Sequence, residues 1–521
     1  MASSAQDLQA VSAHTQGFEG GVNLRDTIAQ LAPNELRVGE IIVLDEKGGA
    51  SKRLGCTSNG TFGAGTDRGL SAYTFYRGAS APQVLLHTSG GKLYYTNDAS
   101  AAAIVWTQIA TGLSTTVPMS FETFNSKCYF SNGVDLYASW DGAAYATYAA
   151  APKGKYLRLW KDTMWMSGVT GLVDRVYSSA AGDAETWPVA AWVDITKGDG
   201  DSVTTLGSDG IVLIVQKRNR GMTIYDPVTF ANRIVDFEKG CESHFSMIQF
   251  EGDIYYLTRR GIAKFDSSGP SRLISAKLDP LFDPVVLNLS ALSMAYAYTI
   301  NNTIGWALPE VGMTYPTLQI EYYPRLGPIS QFGTVGVGPW CFQRMPASVF
   351  TRVRSGATEY LYGAHNAANK FLQLFSLIGT DDGATFTAVM ETGAYDFGVP
   401  TRTKYIRRIR ILGRGVLTAQ LKRNFQTAVY KTKALTMNST SDVWSVTDLW
   451  GTGTWGPDSI FKEAVWNPDA YGRYFQLVLS DSSTLLGKKL IKAGNQDYSL
   501  TAGEWAIYLV TLEGDVLGVR D

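Results

Sequence analysis

The chain has 521 residues, a formal net charge of -1 at pH 7 and a charged fraction of 18%. This length is sufficient for two or more domains with a large core, and the near-neutral charge gives no general attraction to nucleic acid or anionic membrane. Abundant glycine (53 residues) and aromatic residues (12%) beside few charges predict a β-rich protein. The four cysteines form no C-x-x-C pair, so neither a zinc site nor a disulfide framework is indicated.

Residues 1–69 are interpreted as an arm and a lead-in. Residues 1–16 are small and polar, so we expect an arm that is ordered only by contacts with something else. Pro33 is placed to begin a short helical turn, and EIIVLDEKGGASKRLG predicts a hairpin across Gly48. The start has no signal-peptide pattern and the aliphatic runs are strand-sized, so we expect no membrane partner.

From about residue 70 the sequence repeats one plan, in which short aromatic-rich strands alternate with Gly/Asn/Asp turns. Examples are SGGKLYYTND, NSKCYFSNGVDLYASWDG and EGDIYYLTRRGIAKFDSSG. The repeats start roughly 36 to 55 residues apart, close to the length of a four-stranded propeller blade. We therefore predict an all-β fold with a six- or seven-bladed β-propeller over residues 70–375, in which one blade combines distant segments. KLDPLFDPVV, residues 277–286, is a predicted helical insertion.

The pattern changes near residue 376, where longer strands begin and no helical periodicity appears. Residues 376–521 are predicted to form a C-terminal antiparallel β domain, a sandwich or jelly roll.

No catalytic or cofactor motif is present. None of the four histidines has a second His or Cys at metal-ligand spacing, and nucleophile-elbow, phosphate-loop and dinucleotide patterns are missing. ITKGDGDSV, with Asp199 and Asp201, resembles part of a calcium loop, but the ligand series and its closing Glu do not follow. Turn-stabilising aspartates are the favoured interpretation. We expect no enzyme, no bound metal and no cofactor.

The stretch DRVYSSAAGDAETWPVAAWVDITKGDGD tests the sialidase interpretation of a propeller. The Thr186-Trp187 end of an Asp box is present, but Ala or Gly fills the other places: Ala180, Gly182 and Ala184. Without the box, or paired catalytic acids, a glycosidase is not favoured. Tyr177, Trp187 and Trp192 are predicted to pack between blades, with the indole N–H on a turn carbonyl.

TRTKYIRRIR is the one basic cluster. In a regular strand Lys404, Arg408 and Arg410 share a face, while Ile409 and Ile411 point the other way. Such a face is suited to phosphate or a partner's carboxylates, and a solvated strand face is the alternative.

Three segments carry a resemblance to the tail proteins of tailed bacteriophages. RVYSSAAGDAETWP with the following GDGD turn and Lys/Arg-ended strand is similar to a blade of that family. GFEGGVNLRDTIAQLAPNELRVGEIIVLDEKGGASKRLG resembles their opening, in which a Gly-Gly-x-Asn segment leads to an Asn-Glu helix and a hairpin ending in Arg-x-Gly. GAYDFGVPTRTKYIRRIRI resembles the start of their C-terminal β domain.

The resemblance implies a non-enzymatic virion protein, similar to the tail nozzle and packaged-DNA-stabilisation proteins of short-tailed phages. Such a subunit forms a ring, commonly a homo-hexamer, around a DNA-ejection conduit through which dsDNA passes without sequence-specific binding. It docks on adaptor or tail-tube ring proteins and carries tail fibre or tip proteins. Its location is the virion tail, after assembly in the host cytoplasm.

The resemblance and the turn-forming glycines together select two groups of contact residues. The subunit-contact candidates are Gly20, Gly21, Asn23 and Arg25, and the basic partner-facing candidates are Lys404, Arg408 and Arg410. A minor tail protein of a long-tailed phage and a cell-surface glycan-binding propeller remain alternatives.

Overall fold

The structure is a computed structural model built from β-strands and four short 3-10 helices. It describes residues 9–45, 48–78, 80–224, 226–265, 270–326, 338–356, 358–437, 462–482, 492–493, 496–497 and 506–516. The chain divides into two compact units, one formed by residues 57–321 and 344–374 and the other by residues 1–56, 322–343 and 375–521. Among the described residues, no helix has both the length and the apolar character that crossing a membrane requires.

The first unit is a β-propeller, and each of its blades 1 to 5 is a four-stranded antiparallel sheet with its strands in chain order. The strands of blades 1 to 3 are Gly69–Arg77, Ser80–Thr88, Lys92–Thr96 and Thr107–Thr111; Ser120–Phe124, Lys127–Ser131, Tyr137–Trp140 and Tyr145–Tyr148; and Tyr156–Trp160, Thr163–Val169, Leu172–Ser178 and Trp192–Asp194. Those of blades 4 and 5 are Val203–Ser208, Leu213–Lys217, Gly221–Ile224 and Asn232–Asp236; and Ile248–Phe250, Asp253–Thr258, Gly261–Lys264 and Arg272–Leu273.

The last two blades complete a ring of seven. Blade 6 contains Tyr296–Ile300, Thr303–Leu308 and Leu318–Tyr322, and blade 7 contains Ala347–Ser355, Thr358–His365, Lys370–Ser376 and, as its outer strand, Gly55–Thr61. The outer strand enters from the N-terminal side, and just beyond it the Phe62 N–H donates to the Asn369 carbonyl at 2.8 Å. The predicted blade of distant segments is therefore confirmed, and Gly55–Thr61, which precedes blade 1 in the chain, joins the sheet of blade 7 and so links the first and last blades.

Local turn chemistry explains why the blades form where the sequence predicts them. Asn125 and Ser126, between the first two strands of blade 2, both have positive φ, of 46° and 61°. Lys161 and Asp162 occupy the same place in blade 3, with φ of 47° and 53°. Two consecutive left-handed residues make the hairpin turn whose twist matches that of the flanking strands.

The 3-10 helices lie in the connections. They span His244–Ser246, Ala276–Phe282, Leu289–Met294 and Pro324–Leu326. The second of them confirms the predicted helical insertion in part, since it covers the first half of residues 277–286 and ends before Asp283.

Most of the described strands of the second unit belong to two β-sheets. One has the order Ile42–Leu44, Ala50–Lys52, Ala506–Val516, Lys404–Arg414 and Lys462–Trp466, with Gln9–Gln16 paired to Ala506–Val516 and Ala470–Gly472 paired to Lys404–Arg414. The other includes Trp340–Gln343, Glu35–Glu40, Ala388–Thr392, Phe475–Asp481, Val416–Arg423 and Lys431–Thr436, with Gly21–Val22 beside Glu35–Glu40. Thr380–Asp381 pairs with Ala384–Thr385 and, in parallel, with Gly55–Thr61, where Asp381 is opposite Cys56. Lys492–Ala493 pairs with Gln496–Asp497.

The lead-in belongs to this second unit and not to a separate segment. Its hairpin is confirmed, because Leu44 pairs with Ala50 across Gly48, whose φ is 78°. Arg53, which follows the hairpin, is 2% exposed and donates both terminal nitrogens to the Asp381 carboxylate. A planar guanidinium suits this bidentate contact, which fixes the end of the hairpin.

Two expectations about the N-terminal region are corrected. Residues 9–16 do not need a contact outside the chain in order to be ordered, because they form a strand that pairs with Ala506–Val516 of the same chain. Residues 1–8 lie outside the described part. Pro33 begins no helix: a hydrogen-bonded turn forms there, in which the Glu35 N–H donates to the Ala32 carbonyl at 2.9 Å.

Candidate interaction surfaces

Trp187, in the turn between the last two strands of blade 3, is partly buried. Its ring stands edge-on to Tyr137 of blade 2, with 5.5 Å between centroids and 86° between planes. The Nε1–H donates to the Ala184 carbonyl at 3.1 Å. The predicted packing role is confirmed, because the ring joins the core between blades 2 and 3 and its N–H meets a turn carbonyl.

Tyr177 and Trp192 are directly opposite each other on neighbouring strands of blade 3. The Arg175 guanidinium lies 3.4 Å from the Trp192 ring centroid and 5.9 Å from that of Tyr177. Arg175 also donates to Asp194 at 2.8 Å, and this hydrogen bond lowers the pKa of the Asp194 carboxyl. The Arg175 guanidinium and the rings of Tyr177 and Trp192 thus contact one another within blade 3.

The acidic GDGD turn surrounds a lysine. Lys217, at the end of the second strand of blade 4, has a side chain that is 1% exposed. Its Nζ donates to Asp174 at 2.8 Å and to Asp199 at 2.7 Å, and to the carbonyls of Thr196 at 3.2 Å and Asp201 at 3.3 Å. Because Asp174 belongs to blade 3, the ammonium ties blades 3 and 4 together.

This arrangement explains the calcium-like pattern without a metal. The Lys217 ammonium is the cation that the turn oxygens bind, and the Asp201 carboxylate accepts the Asn219 N–H at 2.9 Å. Burial raises the pKa of Asp199, but hydrogen bonds, of which the one from Lys217 is the largest, lower it to about 2 overall. Across the described ranges, no group of three or more His, Cys, Asp or Glu side chains is placed to hold a metal ion.

His244, in the connection between blades 4 and 5, lies where first strands of several blades meet. Its Nε2 shares a hydrogen bond with Ser120 Oγ at 2.9 Å, and its Nδ1 lies 3.3 Å from Thr205 Oγ1. Burial, together with the positive charge of Arg158, lowers the pKa of His244 to about 3. In a hydrolase triad the second ring nitrogen of the histidine contacts a carboxylate, whereas Nδ1 of His244 contacts the Thr205 hydroxyl. We therefore interpret the Ser120–His244 hydrogen bond as a contact that joins blades.

Aromatic side chains fill the space next to His244. Phe245 stacks on Tyr296 of blade 6, with centroids 5.4 Å apart and planes 7° apart. The Tyr296 hydroxyl donates to the Ala72 carbonyl of blade 1 at 3.0 Å. This hydrogen bond connects blade 6 with blade 1, between which blade 7 lies in the ring. First strands of propeller blades surround the central axis. These contacts therefore join several blades near the place where their first strands meet.

The GGVNLRD segment is mostly inside its own unit. Gly20 and Gly21 are buried, and a side chain on Gly21, whose φ is 61°, would meet Trp340. Asn23 is 1% exposed; its Oδ1 accepts the N–H groups of Arg25 and Asp26 at 3.1 Å each. Arg25 itself is exposed. Of the four subunit-contact candidates, Gly20, Gly21 and Asn23 are therefore buried, and Arg25 is the one that is exposed. A subunit contact through Arg25 stays a prediction.

The basic strand Lys404–Arg414 contains a β-bulge that the sequence pattern does not reveal. The register against Ala506–Val516 shifts between Ile406 and Arg408. Before the bulge Lys404 and Ile406 are buried; after it Ile409 is buried while Arg408 is exposed. One extra residue reverses the alternation of faces. Lys404 consequently does not share the face of Arg408 and Arg410, which corrects the expectation.

The three basic candidates have partners within the chain. Lys404 donates to the Arg473 carbonyl at 2.5 Å, and burial lowers its pKa. Arg410 lies 2.9 Å from Glu513 and 3.0 Å from Glu463, and Arg408 lies 3.7 Å from Glu513. The face with Arg408 and Arg410 thus carries glutamates beside its arginines. It offers a phosphate backbone no continuous row of positive charges.

An aromatic face that sequence reasoning missed lies in the second unit. Tyr471 is 50% exposed and its ring is tilted by 30° against that of Tyr405, with 4.6 Å between centroids, and Phe425, 47% exposed, lies 4.4 Å from Tyr474. Arg423 covers the Tyr430 ring at 3.8 Å. These rings come from three stretches of chain, so no local pattern announces them. For Lys217 a signal existed, since the residue ends the apolar run IVLIVQK of a buried strand.

Comparison with known proteins identifies no family. No family model matches the chain, and no curated protein matches it. Solved structures with a similar fold include YCF48 bound to D1 peptide (11% identity, 62% of this chain and 96% of that chain, TM-score 0.38). In the match to BBS1N in complex with ARL6DN, 63% of this chain and 97% of that chain are covered at 8% identity, with a TM-score of 0.41. Chaetomium thermophilum Raptor covers 62% and 29% at 11% identity with a TM-score of 0.39.

Proposed function

We propose that the chain is a non-enzymatic structural subunit of a bacteriophage tail, a nozzle or hub ring protein of the DNA-ejection conduit. The observation that carries the proposal is that the reactive-looking side chains are bonded to one another. Lys217 neutralises the acidic turn, Trp187 packs between blades, and Arg410 pairs with glutamates. Rigid internal bonding suits a building block, and the three segments that resemble tail proteins supply the family.

In the proposed ring the conduit lies between copies of the chain, as in a homo-hexamer. Phe245 and Tyr296 stack beside His244, where first strands of the blades meet, so the proposal routes no DNA through a single propeller. Carboxylates beside Arg408 and Arg410 suit such a channel or its surroundings, because a strongly basic lumen would bind phosphates and retard the DNA.

The docking partners follow from the same proposal. Adaptor or tail-tube ring proteins would sit on one side of the ring, and tail fibre or tip proteins on the other. A minor tail protein of a long-tailed phage is the neighbouring alternative, with the same assembly chemistry.

One observation favours a second candidate, a glycan-binding propeller protein. The exposed rings of Tyr471 and Phe425 stand beside Tyr405 and Tyr474, and exposed aromatic pairs are suited to stacking on sugar faces. The same rings serve equally well at a protein interface, where aromatic residues are enriched.

Native mass spectrometry and negative-stain electron microscopy of the purified full chain test the proposal. We expect a closed ring, and antibody labelling of phage particles at the tail. Arg25→Glu should weaken the ring, whereas Lys197→Glu, a change at an exposed residue within the propeller unit, serves as a matched control. A chain that stays monomeric at all concentrations and binds or hydrolyses a glycan would refute the structural role.

A further inference from the structure

The N-terminal strand Gln9–Gln16 is joined to its unit by a backbone ladder. It pairs antiparallel with Ala506–Val516 along its whole length, with Gln9 opposite Val516 and Gln16 opposite Leu509. The side chains of Ala10, Ser12 and His14 are exposed, and Ala13 is half-buried. The His14 ring lies 3.1 Å from the Thr511 hydroxyl. Detaching this strand therefore breaks a ladder of backbone hydrogen bonds, and the exposed side chains of Ala10, Ser12 and His14 do not hinder it.

A cavity lies next to the middle of the strand. It has a volume of about 310 Å³ and is lined by residues 12–14 and by two other segments, within residues 29–33 and 393–398. Side chains therefore do not completely fill the space beside this part of the strand.

Gly17 forms a hinge at the end of the strand. Its φ is 83°, a conformation that disfavours other residues, and a side chain there would meet the Glu19 carboxylate at 2.5 Å. The next residue, Phe18, is fully buried and donates its N–H to the Gly48 carbonyl at 2.8 Å. Rotation at Gly17 therefore redirects the strand while Phe18 stays anchored.

The partner strand requires an occupant on this edge. Ala506–Val516 pairs with Lys404–Arg414 on one side; on the other, only its first residues pair with Ala50–Lys52 and the remainder pairs with the N-terminal strand. Without an occupant, residues 509–516 would be an open edge that invites another strand. The same segment from a second copy satisfies the same backbone groups.

We propose that in the assembled oligomer the N-terminal strands are exchanged, so that Gln9–Gln16 of each copy leaves its own chain at Gly17 and pairs with Ala506–Val516 of a neighbouring copy. An eight-residue strand reaches about 26 Å, which sets how near the neighbour's edge must lie. The inference rests on the proposed function in one respect, that copies lie side by side.

A disulfide across the strand pair tests the exchange. His14 and Thr511 are opposite each other with their side chains in contact, so cysteines at these positions lie within bonding range. Two differently tagged chains, one carrying His14→Cys alone and the other Thr511→Cys alone, are co-expressed, assembled and mildly oxidised. A disulfide between the tags on a non-reducing gel arises only between chains. The four native cysteines are buried, and the unsubstituted chain controls for them.

The double variant His14→Cys/Thr511→Cys separates the outcomes, with native mass spectrometry reporting the oligomer. Exchange predicts covalent multimers and tag-to-tag disulfides, and Gly17→Ala should increase their share because alanine disfavours the positive φ of the closed hinge. An oligomer with only intrachain disulfides overturns the exchange and leaves the ring intact. A monomer with intrachain disulfides overturns both, and no disulfide in any variant overturns the exchange.

Discussion

Removing the positive charge of Lys217 gives the sharpest test of how the blades are joined. Lys217→Met keeps the length of the side chain but leaves the Asp174 and Asp199 carboxylates, which are 17% and 13% exposed, without their shared cation. Breaking a buried ion pair by removing one partner costs about 3 to 5 kcal/mol. Because both carboxylates retain some contact with water, we expect about 3 kcal/mol, at the lower end of that range.

The pH dependence provides an independent check on the cause. The pKa of Asp199 lies at about 2 in the folded chain, below its ordinary value of 3.8. A carboxyl with a depressed folded pKa contributes stability above the unfolded pKa and loses it as pH falls through the folded pKa. In the variant the cation is missing, so protonation of the carboxylates relieves their repulsion. The difference between wild type and variant should therefore be largest at pH 7 and shrink towards pH 2.

Urea unfolding monitored by tryptophan fluorescence measures both effects. Lys197→Met is the matched control, because Lys197 lies in the same turn, is 69% exposed and pairs with Asp194 at 3.3 Å; it should cost less than about 1 kcal/mol. Adding Asp199→Asn to Lys217→Met should recover part of the loss. Equal costs for the two lysines, or a difference that persists unchanged at pH 2, would refute the reasoning.

Three further predictions use the same unfolding assay. Trp187→Ala should lower the free energy of unfolding by about 3 kcal/mol and Trp187→Phe by less; a sugar stacked on Trp187, with stability unaffected by the alanine, would contradict the packing role. The free energy of unfolding of the wild type should fall as pH drops from 6.5 towards 3, because His244 binds a proton in the unfolded chain but not in the folded one. His244→Asn should reduce the slope of this free energy against pH by about 1.4 kcal/mol per pH unit. An unchanged slope would contradict a neutral His244 ring in the folded chain. EDTA or millimolar Ca²⁺ should leave the melting temperature unchanged because the Lys217 ammonium occupies the acidic turn, and a calcium-induced rise would overturn that assignment.

The propeller was predictable because blades are local objects. Turns such as Asn125-Ser126 and the strands around them are neighbours in sequence, so alternation and turn residues report them directly. The packing of Trp187 was predictable for a related reason, since a failed ligand motif left burial as the remaining role of a large ring.

The candidate surfaces were less predictable because they depend on distant residues and on register. The bulge between Ile406 and Arg408 changes which side chains of the strand are buried. A prediction from alternate residues assumes that the strand contains no such extra residue. Lys217 finds Asp174 in another blade, 43 residues away. The aromatic face and the pairing of the N-terminal strand likewise arise from tertiary contacts that leave no mark on the local pattern.

The pairing of Gln9–Gln16 with Ala506–Val516 also sets an order of events during synthesis. His14 and Thr511 are 497 residues apart, so at ribosomal rates of about 5 to 20 residues per second the first strand waits tens of seconds for its partner. The propeller ring can close earlier, once the strands up to Lys370–Ser376 are available for Gly55–Thr61. Nascent chains on one messenger RNA would therefore carry a closed propeller and an unpaired N-terminal strand at the same time. In this interval the neighbouring copies are also nearest to one another.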